Sequence, residues 1–333
     1  MGKQGRDKLY LGVDVGGTKI LAALVAPNGQ IVARERSETP REEPPRASVR
    51  AILAAMDGAL DAAGVRASRL AAIGLAIPGV VDPDKGRVVV TPNMNLSGMQ
   101  IASAVRKVYP VPVAVGNDVN LGTLGEKWLG AARRAKSAVG IFVGTGIGGG
   151  VIVDGRLVRG AREAAGEIGH IVMLPGGPRC GCGNHGCLEA LASRSAIERE
   201  LRAGMAAGRR TCLSKLLGGK RGPIKSKVLR RALKARDPLV TEVVRRAAEI
   251  LGYACLTVRH LVDPDVIVLG GGVIEACGGF VLPIVQKIVQ ADALPGARKG
   301  GDVVPSELGD DAVALGAAAL AMEAVGKSPL LSP

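Results

Sequence analysis

Aromatic side chains are nearly absent from this chain: two Phe, three Tyr and one Trp among 333 residues, or 2%. A core built under that constraint rests on Ala, Val, Leu and Ile, and a ligand site offers few rings on which a flat base could stack. Histidine is as scarce, with three residues. Long apolar runs are missing too, since no stretch approaches the ~20 residues that span a bilayer. The N-terminus, MGKQGRDKLYLGVDVGG, lacks an apolar segment followed by a small-residue cleavage site. Together these absences predict a cytoplasmic protein with no membrane partner. In that reducing compartment the six cysteines are better explained as ligands or small core residues than as a disulfide framework.

Charge is abundant but uneven. The formal net charge is +14, yet residues 199–236 alone carry thirteen Lys and Arg against one acid, Glu200. The rest of the chain is close to neutral, so the excess describes one segment and not the molecule. Without interleaved aromatics or a recognisable binding motif this segment reads as a solvated basic face, with no nucleic-acid partner. It could also attract polyphosphate, as an alternative phosphoryl donor.

A chain of this length suggests two domains. Residues 9–36 read as strand, Gly-Gly-Thr turn, strand, Asn28-Gly29 turn and strand, the dipeptide suiting a type I′ hairpin. Residues 138–158 repeat the plan, closing on Asp154-Gly155. After each triplet helices alternate with strands: helices near 46–63, 98–108, 189–204, 239–261, 279–290 and 311–325. Both halves thus run βββαβαβα, an α/β fold with mixed sheets covered by helices, and ligands of such folds sit in a cleft at the carboxyl ends of strands. The Gly- and Lys-rich insertion 205–238 fits neither half and is expected to be exposed.

Two familiar nucleotide motifs are excluded. Gly144, Gly146 and Gly149 spell G-x-G-x-x-G, but a hairpin strand follows where a Rossmann loop needs a helix. Residues 12–19 resemble a Walker loop with Gly-Thr-Lys in place of Gly-Lys-Thr, and again a strand follows. What remains is a pair of glycine turns, DVGGTK with Gly16, Gly17, Thr18 and Lys19, and GTGIGGG with Gly144, Thr145 and Gly146. Such turns can aim backbone amides at phosphate oxygens. A third cluster, LGGGV with Gly270, Gly271 and Gly272, would let a nucleoside lie against the backbone.

These motifs, with VGNDVN, GEIGH and CGCGNHGCLE, resemble the ROK family (repressors, open reading frames, sugar kinases) of the actin-like ATPase superfamily, from Leu9 to about Val325. The resemblance implies two duplicated actin-like, ribonuclease H-like domains around a central cleft, residues 1–120 and 121–310, closing over ATP and a sugar. The last helix, 311–325, is expected to pack back on the first domain, and the protein to form a homo-oligomer, a dimer or tetramer.

Residues 167–190 hold two of the three histidines and three of the six cysteines. Cys180, Cys182, Cys187 and His170 supply a closed Cys3His set suited to structural Zn²⁺. His185 competes as the nitrogen ligand, and a buried thiol cluster or a disulfide with one Cys left over is the plainer alternative. A metal here would hold the neighbouring Glu167 and Glu189 still. The resemblance implies that both accept sugar hydroxyl hydrogens and that His170 faces the sugar with its second ring nitrogen.

Asn117 and Asp118 end the strand VPVAV, where a carboxylate can take the proton of an alcohol attacking a γ-phosphate. On local grounds Asp118 is equally a cap for a helix starting near Asn120. The resemblance favours catalysis, with Asn117 and Asp118 both binding the sugar. Asn93, in TPNMN, offers a donor and an acceptor to a sugar hydroxyl, and Gly79 matches a sugar-contacting turn of the family. Asp14 opens the first glycine turn and is placed to hold Mg²⁺ through water. The expected activity is ATP-dependent phosphorylation of a hexose at its 6-hydroxyl, glucose first, with fructose, mannose, N-acetylglucosamine and N-acetylmannosamine as alternatives. A sugar-responsive regulator is the rival, and the eight residues ahead of the first strand are expected to leave no room for its helix-turn-helix.

Overall fold

The computed structural model describes residues 8–40, 43–92, 94–219, 222–294 and 300–330. Two compact units group by contact: Met1–Arg134 with Gly150–Ala165 and Asp310–Pro333, and Ala135–Gly149 with Gly166–Gly309.

In the first unit β1 (Leu9–Val15), β2 (Lys19–Val25) and β3 (Ile31–Glu38) form an antiparallel meander, followed by α1 (Pro45–Ala62) and β4 (Leu70–Ile77). A small antiparallel pair, β5 (Val80–Asp82) and β6 (Arg87–Val90), precedes α2 (Ile101–Arg106), β7 (Val113–Asn117) and α3 (Asp118–Leu129). The main sheet runs β3-β2-β1-β4-β7, with β4 parallel to β1 and to β7. Central β1 and β4 are buried almost throughout, as an apolar run covered on both faces must be, whereas edge strand β3 alternates half-buried and exposed positions. Ile52, Ala55, Met56 and Ala59 of α1, at helical spacing, bury against one face with Ile101 and Val105 of α2. α3 runs unbroken through position 120 and packs with the last helix, and the first stretch of this unit extends to Arg134.

The second sheet repeats the order with β8 (Ala138–Val143), β9 (Ile147–Val153), β10 (Arg156–Leu157), β11 (Val266–Gly270) and β12 (Asp302–Pro305), as β10-β9-β8-β11-β12. Between β10 and β11 lie α4 (Leu188–Ala192), α5 (Arg194–Ala206), α6 (Leu213–Leu217), α7 (Ser226–Lys234) and α8 (Pro238–Val262), then α9 (Gly272–Gln290) separates β11 from β12. The duplication read from the two strand triplets is therefore present in the sheets. α10 (Ala312–Glu323) returns to the first unit and packs on β1, β4 and α3. That approach is close enough that a Cβ on Gly12 would sit 1.9 Å from Ala314 O, and one on Gly74 1.8 Å from Ala317 O.

Five expectations change. Asn28-Gly29 does not form a type I′ turn, since only Gly29 has positive φ (87°). Pro27 fixes its own φ near −65°, which selects a type I turn closed by a glycine bulge; Gly29 N donates to Ala26 O at 2.9 Å and the ladder slips at Leu24/Val25. The Asp154-Gly155 turn has both φ values positive, 48° and 75°, as that dipeptide predicts. The expected helix at 189–204 breaks at Ser193, whose hydroxyl caps α5 by accepting Ala196 N at 3.1 Å.

α9 starts seven residues before the expected 279, because LGGGV is a strand-to-helix turn with Gly271 at φ 84° as cap. Its 19 residues, with mean hydropathy 1.5, make it long and apolar enough to cross a bilayer, contrary to the reading of no such stretch. Val273, Ile274, Cys277, Val281, Val285 and Val289 are buried and α9 packs on α8 and β12, the pattern of a core helix. Nor is the basic insertion simply exposed: α6 and α7 lie in it, and Leu213, Ile224, Leu229 and Ala232 are fully buried, so its cations stand on an amphipathic scaffold.

Candidate functional site

The first unit gathers acidic groups at the carboxyl ends of β1 and β7. The turn Gly16–Lys19 is closed by Gly16 N donating to Lys19 O at 3.0 Å and is held from outside by Thr39, whose hydroxyl donates to Gly16 O at 2.6 Å. Asp14 stands just before it. Burial, then the charge of Asp118, pushes the Asp14 carboxyl up to about 7, with Asp310 adding to the rise and Lys19 opposing it. Asp14, Asp118 and Asp310 thus share one electrostatic neighbourhood in which a divalent cation would be favoured. Lys19 is paired within it: its ammonium lies 3.0 Å from Asp310, and Arg36 reaches the same carboxylate at 3.4 Å.

At the end of β7 the two neighbouring residues divide the work. Asn117, not Asp118, is the cap of α3, its Oδ1 accepting Val119 N at 3.0 Å and Asn120 N at 3.1 Å. Its Nδ2 donates to Gly79 O at 3.0 Å, which ties the β4–β5 turn to the β7 end. Asp118 is the first residue of α3, half-buried, with Oδ1 3.0 Å from Val119 N. Gly79 is fixed as glycine by φ 99°. Asn93 lies outside the described residues; beside it Thr91 closes the loop by donating to Met94 O at 2.6 Å.

In the second unit the expected ligands converge. One donor atom each from His170, Cys180, Cys182 and Cys187 lies within 4.8 Å of the others. Cys182 Sγ and Cys187 Sγ are 3.7 Å apart, as are Cys180 Sγ and His170 Nδ1. A tetrahedron with metal–sulfur arms of ~2.3 Å has edges of about 3.8 Å, so these donors fit one four-coordinate ion. Burial pushes the Cys180 thiol up to about 12, so its thiolate needs a cation beside it. His185 is not part of the set; its Nδ1 lies 3.1 Å from Gly177 O and helps to close the loop.

Both glutamates adjoin this cluster. Glu167 Oε2 is 3.9 Å from His170 Nε2, the ring nitrogen turned away from the thiols, and its side chain is 53% exposed. Glu189 is half-buried and already engaged: Oε2 accepts Ile147 N at 2.9 Å and Oε1 lies 3.7 Å from Cys180 Sγ. It therefore joins the cysteine loop to the turn Gly144–Gly146. A Cβ at Gly146 would meet Glu189 Oε2 at 2.2 Å, so a side chain there would displace that carboxylate. Gly270–Gly272 bring the N-terminus of α9 to the end of β11, next to β8.

Sequence reasoning missed Thr39, Asp310 and Arg194, whose guanidinium donates to Thr145 Oγ1 at 2.6 Å. Only the Asp310-Asp311 pair ahead of the last helix carried a local signal, acids at a helix start.

A sequence profile of the ROK family matches residues 10–324. This chain belongs to the ROK family. Among ROK relatives, the glucokinase of Halalkalibacterium halodurans is 35% identical across 93% of this chain and 94% of its own length. The DNA-binding transcriptional dual regulator NagC of Escherichia coli is 30% identical, across 96% of this chain and 77% of its own. Of solved structures, the ROK hexokinase of Thermus thermophilus superposes with TM-score 0.78 at 35% identity, covering 96% of this chain and 99% of that one. The ROK glucokinase of Streptomyces griseus in complex with glucose and AMPPNP gives 0.79 at 31%, covering 95% and 99%.

Proposed function

We propose that this ROK protein is an ATP-dependent hexose kinase that phosphorylates the 6-hydroxyl, with glucose as its sugar. The observation that carries this reading is the division at the end of β7: Asn117 supplies the cap of α3, and Asp118, which opens the helix with Oδ1 3.0 Å from Val119 N, shares an acidic neighbourhood with Asp14. Kinship with glucokinases supports the same class.

Asp118 accepts the proton of the attacking hydroxyl while the oxygen bonds to the γ-phosphorus and ADP leaves. Asp14 would hold Mg²⁺, and the ion would supply charge neutralisation for the phosphate oxygens. The turns Gly16–Lys19 and Gly144–Gly146 offer amides and the hydroxyls of Thr18 and Thr145 to phosphate, and Gly270–Gly272 let the nucleoside approach the backbone. Glu167, Glu189 and His170 orient the sugar hydroxyls, joined by Asn117, Asn93 and Gly79. His170, Cys180, Cys182 and Cys187 would hold Zn²⁺ as a structural ion, a Cys3His set supplying four protein ligands. Its contribution is rigidity of the loop that carries both glutamates.

A cytoplasmic location and self-association as a dimer or tetramer belong to the same reading, the latter tested by sedimentation. The decisive assay couples ADP release to a panel of hexoses and amino sugars. Highest kcat/KM with glucose supports the proposal; preference for an amino sugar would move it to a sister substrate, and no turnover with any sugar would leave the regulator reading. Polyphosphate in place of ATP, in the same assay, tests the alternative donor.

A further inference from the structure

Arg194 opens α5 immediately after the break at Ser193 and reaches back 49 residues to the second glycine turn. Its Nη2 donates to Thr145 Oγ1 at 2.6 Å, while Nη1 lies 3.5 Å from Ile224 O in the basic insertion and 3.7 Å from Glu198 Oε2. The side chain is only 18% exposed, so this geometry is held by packing. The backbone joins in. Arg194 N donates to Gly144 O at 3.0 Å, and Ser195 Oγ donates to Thr145 O at 2.8 Å. Gly144 N donates to Gly146 O at 2.9 Å, so the carbonyls of all three turn residues are occupied. What the turn can offer a ligand is the amides of Thr145 and Gly146, since that of Gly144 is taken by Gly146 O.

A threonine hydroxyl has one hydrogen and two acceptor lone pairs, whereas a guanidinium has donors only. Thr145 Oγ1 must therefore accept from Arg194, and its own hydrogen points elsewhere. Among the described residues no protein acceptor takes that hydrogen. A charged donor on the oxygen also makes the hydroxyl a stronger donor.

We propose that Arg194 is a positioning residue for the phosphoryl donor: it fixes Thr145 as a hydrogen-bond donor toward a phosphate oxygen, and Ile224 of the insertion holds Arg194 in place. This rests on the reading of Gly144–Gly146 as a phosphate turn. It also gives the insertion a task within the enzyme, because Ser226, at the start of α7, lies beside Gly272 at the start of α9.

The test compares Thr145→Val, Arg194→Met, Arg194→Lys and the Arg194→Met/Thr145→Val pair in the full chain. Readouts are KM for ATP, KM for glucose, affinity for AMPPNP and melting temperature. Thr145→Val and Arg194→Met should each raise the ATP KM by about ten-fold, leaving the glucose KM within about two-fold. The pair should be no worse than either alone, and Arg194→Lys, which keeps a charged donor, should recover part of the loss. Should Arg194→Met not fold, Arg194→Gln and Arg194→Lys provide the comparison. If Thr145→Val weakens ATP and the Arg194 variants do not, or if the effects multiply in the pair, Arg194 does not position Thr145 although the phosphate turn stands. An unchanged ATP KM in Thr145→Val would remove the phosphate turn itself, and this inference with it.

Discussion

Asn117 and Asp118 are adjacent in sequence yet do unlike things, and the difference lies in backbone geometry. Asn117 has φ −68° and ψ 142°, the extended conformation of a cap, so its side chain folds over the amides of Val119 and Asn120. Asp118 is already helical and projects among Asp14 and Asp310. Asp118→Asn keeps the shape and removes the base, so kcat should fall by about 10²–10⁴ while glucose affinity, measured calorimetrically, stays within about three-fold. An unchanged kcat would end the assignment. Asn117→Ala should act on stability as well as on sugar binding, costing about 1–2 kcal/mol through the lost cap, read from urea denaturation. Lys19 shows what local reading cannot reach. Its position in DVGGTK suggests a phosphate ligand, but its ammonium finds Asp310, 291 residues on, a partner fixed only when α10 returns to the sheet.

At the scale of elements, α8 depends on Asp237. This carboxylate is buried and accepts Val240 N and Thr211 Oγ1, both at 2.9 Å, and Cys212 N at 2.5 Å, fastening α6 to the start of α8. Burial alone would raise its pKa, but these hydrogen bonds outweigh it and hold the carboxyl below the usual aspartate value. A depressed folded pKa means the carboxylate stabilises the fold fully above the unfolded value of ~3.9, and that contribution is lost as pH falls through the lower folded value. Asp237→Ala should cost about 1–3 kcal/mol at neutral pH, and the gap from the parent should narrow below about pH 4 in thermal melts. At the sheet, Gly74→Ala forces a Cβ onto the backbone of Ala317 and should lower stability by about 1–3 kcal/mol through displacement of α10. The element pattern was legible wherever apolar periodicity was clean, as in α1 and β1. It misled where composition masked a buried face, as in the Lys- and Arg-rich α7 with its hidden Leu229 and Ala232, and where GGGV read as a turn alone although it starts α9.

Over the whole molecule the duplicated sheets, the glycine turns and the cysteine loop could be read from sequence because each signal is local: partners lie within about twenty positions, and turn residues carry their own φ requirements. The choice of His170 over His185 was not local. It follows from the 3-10 turn at Ile168–His170, which carries the ring to the thiols, while His185 is turned to Gly177. Beside that cluster, Glu189 also accepts the amide of Ile147, so one side chain touches both the cysteine loop and the second glycine turn.

The central proposal is that zinc at the Cys3His cluster would hold Glu167 and Glu189 in place for a sugar. Glucose titration by calorimetry, run on the parent and on Cys182→Ser with metal content measured on the same samples, tests it most directly. The account predicts one zinc per parent chain, little or none in the variant, and glucose affinity reduced by about ten-fold or more without it. A zinc-free protein that binds glucose with undiminished affinity would contradict it.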